Sequence, residues 1–164
     1  MNAKTADIKR IVAFAMKKAK ESGAAGNQKK HKGGLKMQEI LLSLHSEYWD
    51  LIKSGKITYE VKKKRPRNIS FPFRVFVYVA GGVGVVGKFD CDHIIYKKEN
   101  MPAILANGSC LTESEMIHYS RGRRICGWHV QEGSVCEYET PIPLEMATGL
   151  KRPPASWCYL RKTE

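Results

Sequence analysis

A change of hydrophobic period at Gly55 constrains the fold more than any other feature of this sequence. Before the glycine, the apolar residues of 45–53 recur at helical spacing, and Ser43 or Ser46 can serve as the N-cap. From Ile57 onward, apolar and polar residues alternate, which is typical of a half-buried strand. We therefore predict a short helix that ends at Gly55, where a left-handed residue commonly terminates a helix, followed directly by a strand.

The predicted strand carries charge on one face. Glu60 is a lone acid among four lysines, which are Lys56, Lys62, Lys63 and Lys64. On spacing alone, the simplest interpretation is a solvated strand edge whose lysines discourage pairing with other edges.

A second pair of strands is predicted in the middle of the chain. Phe73–Val79 is rich in aromatic and β-branched residues, and 84–92 continues in strand character. The glycines of 82–87 match the pattern G-x-G-x-x-G, but a dinucleotide site needs a helix after the glycines, and a strand is predicted there instead. We interpret these glycines as a turn between two strands.

The last third of the chain has a clear helix start. Thr112 and Glu115 form a capping box, which predicts a helix that runs to about Ser120. Residues 100–108 are expected to be irregular or to contain a helical turn, 125–131 and 134–140 to form a hairpin, and 156–160 to add a last strand. With the strands above, this predicts about six or seven strands and three helices.

The N-terminal part differs in character from the remainder. Residues 5–20 have an apolar stripe at helical spacing, with Thr5 as N-cap, and we expect this amphipathic helix to pack on the domain that follows. Residues 22–36 are rich in glycine and lysine and are predicted to form a flexible basic linker. We therefore divide the chain into 1–36, the helix and linker, and 37–164, one folded domain.

The charge balance indicates the class of partner. Twenty-eight Lys and Arg against 16 Asp and Glu give a formal net charge of +12, which suggests a polyanion such as nucleic acid. The longest apolar runs are far short of a membrane span, and the N-terminus has no continuous apolar segment of the kind found in signal peptides. We expect a soluble, cytoplasmic protein without membrane association.

No familiar catalytic or metal-binding motif is present. The 5 cysteines form no C-x-x-C pair, so we expect them to be reduced. Cys91, Asp92 and His93 could supply metal ligands, but nothing nearby repeats the spacing of a tetrahedral zinc site. We therefore predict no metal and no cofactor, and we assign no catalytic residue.

Several segments, taken in their order along the chain, resemble the ASCH domain family, a relative of the PUA fold. They are residues 43–64, 73–78, 85–89, 127–130, 138–144 and 152–160, so the resemblance spans roughly 38–161. It implies an α+β fold, a PUA-like mixed or antiparallel β-barrel with flanking helices around a cleft, to which the N-terminal helix is an addition. The family is associated with RNA metabolism; some members are amidohydrolases acting on a modified cytidine, and some cleave RNA.

The family motif has the form G-x-K-x-x-E-x-R, and this chain matches it only in part. Gly55 matches the glycine, Glu60 the acid, and Lys62 stands where the family usually has arginine. The motif lysine is replaced by Ile57, and Lys56 is one residue too early, which turns its side chain to the opposite strand face. The amidohydrolase members also have threonine at the position of Glu60. The resemblance therefore implies a binding cleft more than it implies that reaction.

We predict a nucleic-acid-binding module, with RNA favoured over DNA. The predicted cleft residues are Lys56, Glu60, Lys62, Trp128 and Tyr78. The predicted phosphate contacts are Lys63, Lys64, Arg65, Arg67, Arg121, Arg123, Arg124, Lys29, Lys30 and Lys32. Two alternatives remain: a small hydrolase acting on RNA or a modified nucleoside, and an inhibitor encoded by a mobile element that acts on a protein partner.

Overall fold

The computed structural model describes residues 37–96 and 101–160, and this part of the chain contains eight strands and four helices. The strands are β1 Glu39–Leu44, β2 Tyr59–Lys62, β3 Phe73–Val79, β4 Gly84–Cys91, β5 Ile94–Tyr96, β6 Cys126–His129, β7 Cys136–Ile142 and β8 Trp157–Tyr159. The helices are α1 Ser46–Lys53, α2 Met101–Ser109, α3 Glu113–Ser120 and α4 Leu144–Thr148.

The strands form two sheets. The larger has the order β7-β4-β3-β1-β8, in which β1 and β3 run parallel and the other neighbours antiparallel. The smaller is antiparallel with the order β2-β6-β5. Among the described strands, no ladder joins the two sheets. The mixture of helices and sheets agrees with the prediction, but the predicted β-barrel is not confirmed.

The predicted hairpin of 125–131 and 134–140 is wrong. Its two strands, β6 and β7, lie in different sheets, because the chain crosses between the sheets after β6. The Val130 amide donates to the Thr58 carbonyl at 2.9 Å, whereas the next amide, of Gln131, donates to the carbonyl of Asp90 in β4 at 2.9 Å. Local turn residues predicted a hairpin, but the partners of both strands are distant in sequence.

The main core lies between the two sheets. It joins Ile40 and Leu42 of β1, Val75 and Val77 of β3, and Trp128 of β6, all fully buried. The outer face of each sheet is also covered by helices. Leu105 of α2 and Met116 of α3 pack on the smaller sheet, and α4 covers the larger sheet beside Tyr78 and Val85.

The change of period at Gly55 is confirmed. Gly55 has a φ of +72°, and the Lys56 amide donates back to the Leu51 carbonyl at 3.0 Å, which terminates α1. The predicted N-caps are wrong, because His45 occupies that position and makes no side-chain capping bond. Ser43 lies in β1 instead, where its hydroxyl donates to the Pro154 carbonyl at 2.8 Å.

Downstream, the central strands and the capping box of α3 are confirmed. The glycine-rich turn leads from β3 into β4, with no helix following it. The segment 100–108, expected to be irregular or to contain a helical turn, is occupied largely by α2, a helix of nine residues, and α4 was not predicted. The final strand is confirmed as β8, which pairs with β1 at the sheet edge.

Several predictions fall on residues 1–36, which lie outside the described part of the chain. The amphipathic helix, the basic linker and the domain division therefore stay predictions. All five cysteines lie in the described part, and each is free. Of the described helices, none is both long and apolar enough to cross a membrane.

Candidate functional site

A cleft of about 780 Å³ opens along the unpaired edge of β2. Residues from the end of β1, from α1 to α3 and from the segment before β8 form its walls. The lining residues are Ser43, Leu44, His45, Tyr48, Ile57, Tyr59, Glu60, Val61, Lys62, Ser109, Leu111, Ser114, Glu115, His118, Tyr119, Ala155 and Ser156.

A buried ion pair lies in this cleft. The Lys62 ammonium is 2.7 Å from the Glu60 carboxylate, and the two side chains are only 8% and 9% exposed. The strand period places both on one face, opposite Trp128 and Cys126 of β6. The expectation of a solvated charged face is therefore wrong for these two residues, because the helices and the segment before β8 cover the edge of β2.

The pair places a hydrogen-bond acceptor, the Glu60 carboxylate, next to a hydrogen-bond donor, the Lys62 ammonium. An ionised carboxylate only accepts hydrogen bonds and has about four lone-pair sites, whereas an ammonium only donates and has three N–H groups. One contact between Glu60 and Lys62 leaves both groups capable of further bonds. The arrangement is thus suited to a planar ligand with donor and acceptor atoms side by side, such as the edge of a nucleobase.

Three tyrosines line the same cleft. Tyr48 comes from α1, Tyr59 from β2 and Tyr119 from α3. Burial and, to a smaller extent, the negative charge of Glu60 raise the pKa of Tyr119, so its hydroxyl remains protonated near neutral pH. No sequence pattern selects these three tyrosines, because they come from separate elements and each matches an ordinary helix or strand position.

Three predicted cleft residues do not line the cleft. Trp128 is fully buried between the sheets, with its ring 5.7 Å from that of Phe73 and 5.4 Å from that of Trp157. Tyr78 lies in the core on the outer face of the larger sheet. Lys56 is exposed in the turn after Gly55 and is absent from the lining. Of the predicted cleft residues, the structure brings together Glu60 and Lys62.

Ile57 occupies the position of the family's motif lysine, and it does line the cleft. Its side chain is only 2% exposed. The side chain at this position therefore lines the same cavity as Glu60 but provides no amine.

Seven of the predicted phosphate contacts are exposed, and they follow two elements that line the cleft. One group follows β2 and comprises Lys63, Lys64, Arg65 and Arg67; the other follows α3 and comprises Arg121, Arg123 and Arg124. The Lys63 ammonium lies 4.5 Å from the centre of the Tyr119 ring, which brings the start of one group to the end of α3. Lys29, Lys30 and Lys32 lie outside the described residues.

A second polar cluster lies at the other end of β2. Asp92 Oδ1 is 2.9 Å from Nδ1 of His93 and 2.7 Å from Nδ1 of His129, and the two imidazole rings stack at 4.4 Å. The Tyr59 hydroxyl lies 3.0 Å from Nε2 of His93. Partial burial alone would raise the pKa of Asp92, but the hydrogen bonds from both histidines outweigh it and lower that pKa. The sequence pointed to Asp92 and His93, but not to His129, which is distant along the chain.

Comparison with known proteins gives matches at the level of structure. No protein-family model and no curated protein matches the sequence. The solved structure of ASCH from Zymomonas mobilis is similar, with a TM-score of 0.62 and 22% identity, over 76% of this chain and 88% of that one. A Tyr-to-Phe variant of the same protein has a TM-score of 0.62 over 91% of its chain, and a Ser-to-Ala variant has 0.63 over 89%.

Proposed function

Since this chain has the ASCH fold, as the resemblance in its sequence predicted, we propose that it binds RNA through the cleft at β2. An unpaired base enters the cleft, and the flanking cations contact the phosphate backbone. The observation that carries this proposal is the buried pair of Glu60 and Lys62 in the lining of a large cleft. A buried ion pair adds little to stability, because desolvation of both charges offsets their attraction. A role in recognition accounts for such a pair in a cleft.

The size and walls of the cleft support a base as the ligand. Its volume of about 780 Å³ is within the range of small-molecule sites. Aromatic rings that line a cleft provide faces on which a base can stack, and Tyr48 and Tyr119 would provide them here. Glu60 would accept from an exocyclic amine, while Lys62 would donate to a ring nitrogen or carbonyl.

The charge distribution supports a single-stranded polyanion. The seven exposed cations after β2 and α3 are suited to phosphate contacts, which provide affinity without reading sequence. Bases in duplex RNA are stacked and inaccessible to a deep cleft, whereas loops and single strands can present an unstacked base. Single-stranded RNA is therefore the substrate class that we propose.

The test compares two double variants that both leave the net charge unchanged. Glu60→Ala with Lys62→Ala removes the pair in the cleft. Lys53→Ala with Glu137→Ala removes an exposed pair, 2.6 Å apart, that lies outside the cleft lining. Fluorescence anisotropy measures the affinity for single-stranded RNA, duplex RNA and single-stranded DNA. We expect the cleft variant to lose about 1–3 kcal/mol of binding to single-stranded RNA, and the control variant to match the parent.

Other outcomes identify the alternatives. If both variants bind single-stranded RNA as tightly as the parent does, the cleft is not the recognition site. Absence of binding to all three nucleic acids at low salt would contradict the proposal and favour the protein-interaction alternative. Cleavage of the RNA by the parent, lost in the cleft variant, would favour the hydrolase.

A further inference from the structure

We propose that Asp92, His93 and His129 form a binding site for one divalent transition-metal ion of the zinc type, with Tyr59 as an outer-shell partner. One carboxylate and two imidazoles supply ligand atoms that all lie within 4.8 Å of one another. The cluster is separate from the Glu60–Lys62 pair, so the inference does not depend on the proposed RNA site.

The smaller sheet explains how these residues meet. Tyr59 of β2 is the register partner of His129 on β6, and His93 immediately precedes β5 on the other side of β6. The His129 amide donates to the His93 carbonyl at 3.0 Å, so backbone pairing continues to the site. Three adjacent strands thus place Tyr59, His129 and His93 side by side on one face.

The hydrogen bonds of the cluster are compatible with metal ligation. In the metal-free protein, both Nδ1 atoms can donate to the same Oδ1 of Asp92, at 2.9 and 2.7 Å. A metal ion among these three atoms takes the place of the two protons, and each proton moves to Nε2. On His93, Nε2–H then donates to the Tyr59 hydroxyl, which lies 3.0 Å away and can either donate or accept. This is the outer-shell bond that metal-ligating histidines usually make.

The ligand types indicate which ions fit. Two imidazoles and one carboxylate suit zinc and its neighbours, whereas magnesium and calcium require oxygen ligands. Three protein ligands leave at least one coordination position for water or a ligand oxygen. All three side chains are partly exposed, so an ion can reach them from solvent.

The surroundings hold Tyr59 and His93 in place. A Cβ built on Gly108 would lie 2.7 Å from Cδ2 of Tyr59, so only glycine leaves room for the tyrosine ring there. The thiol of Cys91 donates to the His93 carbonyl at 3.2 Å and fixes the backbone next to the ligand. One ligand and the outer-shell partner are therefore held in position before an ion binds.

The test is a titration of the full chain with Zn²⁺ by calorimetry, together with Co²⁺ as a spectroscopic probe. We expect one ion per chain in the parent. Asp92→Asn, which preserves side-chain shape, and His129→Ala should each weaken binding by more than about 100-fold and abolish the visible Co²⁺ absorption. Tyr59→Phe should weaken binding by about 10–100-fold, as for other outer-shell partners.

Two control variants address adventitious binding. His118→Ala removes another exposed histidine, and Cys110→Ser removes an exposed thiol; both should retain the affinity of the parent. Far-ultraviolet circular dichroism of each metal-free variant checks its folding. If His129→Ala does not fold, the metal affinity of the conservative variant Asp92→Asn tests the proposal. No stoichiometric binding by the parent, or equal binding by the parent and Asp92→Asn, would overturn the proposal.

Discussion

Glu60 and Lys62 show how two charged residues are retained in a nearly dry position. Each side chain would be costly to bury alone, but at 2.7 Å each neutralises the other. Their exposure of less than a tenth means that water screens the pair much less than it screens a surface pair. The stability of this edge of β2 therefore depends on both partners being present.

Lys62→Met should destabilise the protein by roughly 3–5 kcal/mol, because it leaves the Glu60 carboxylate buried without its partner. Chemical denaturation of the variant and the parent measures the difference. Lys53→Met breaks exposed ion pairs with Asp50 and Glu137 and should cost less than about 1 kcal/mol.

The double variant Glu60→Leu with Lys62→Met should recover most of the loss, since no unpaired charge remains. A double variant as unstable as Lys62→Met alone would show that packing, rather than the unpaired carboxylate, determines the cost.

At the scale of elements, α3 forms part of the cleft wall, so the stability of this helix affects the cleft. Its N-terminal residues Ser114 and Glu115 and its C-terminal residues His118 and Tyr119 all line the cavity. The helix has eight residues, and Met116 is its one buried side chain. A helix this short depends strongly on its cap, because few tertiary contacts hold it.

Thr112→Ala should cost about 1 kcal/mol, because the Thr112 hydroxyl accepts from the Glu115 amide at 3.2 Å and satisfies a helix-terminal donor. Thermal unfolding measures the loss. Hydrogen exchange should show faster exchange in α3 than in β3.

Thr112→Ser is the matched control, since it keeps the hydroxyl and should retain nearly all of the stability. If the serine and alanine variants lose the same stability, the methyl contact of Thr112 is responsible and not the capping bond.

At the scale of the whole molecule, seven exposed cations lie in the two segments that follow β2 and α3. The Lys63 ammonium lies 4.5 Å from the centre of the Tyr119 ring, which brings the first cation after β2 close to the end of α3. A field of this kind speeds association with polyanions and makes affinity strongly dependent on salt.

Replacing Arg121, Arg123 and Arg124 together by Gln should reduce the steepness of the salt dependence. On single-stranded RNA, each lost phosphate contact lowers the log–log slope by about 0.7, so three contacts account for a change of about 2. Anisotropy titrations at several salt concentrations measure it.

The matched triple Arg→Lys variant keeps the charges and should preserve the slope. An unchanged slope in the Gln variant would exclude these arginines from phosphate contact, and the cations after β2 would then be tested in the same way.

The sequence by itself determined the features that depend on near neighbours. The end of α1 at Gly55, the strand after it, the strand Phe73–Val79 and the capping box at Thr112 all follow from period or from a few adjacent residues. The pairing of Glu60 with Lys62 is local as well, because two residues apart on a strand lie on one face.

Only the tertiary structure decided which elements meet. Burial of Glu60 and Lys62 depends on the helices and on the segment before β8, which together cover β2. Trp128 is in the core because its strand, β6, lies between β2 and β5. Local turn signals wrongly predicted that β6 and β7 form a hairpin. His129 joins Asp92 and His93 only through sheet pairing. Such contacts join residues far apart in the chain, and burial of apolar surface selects them, so no short-range pattern specifies them.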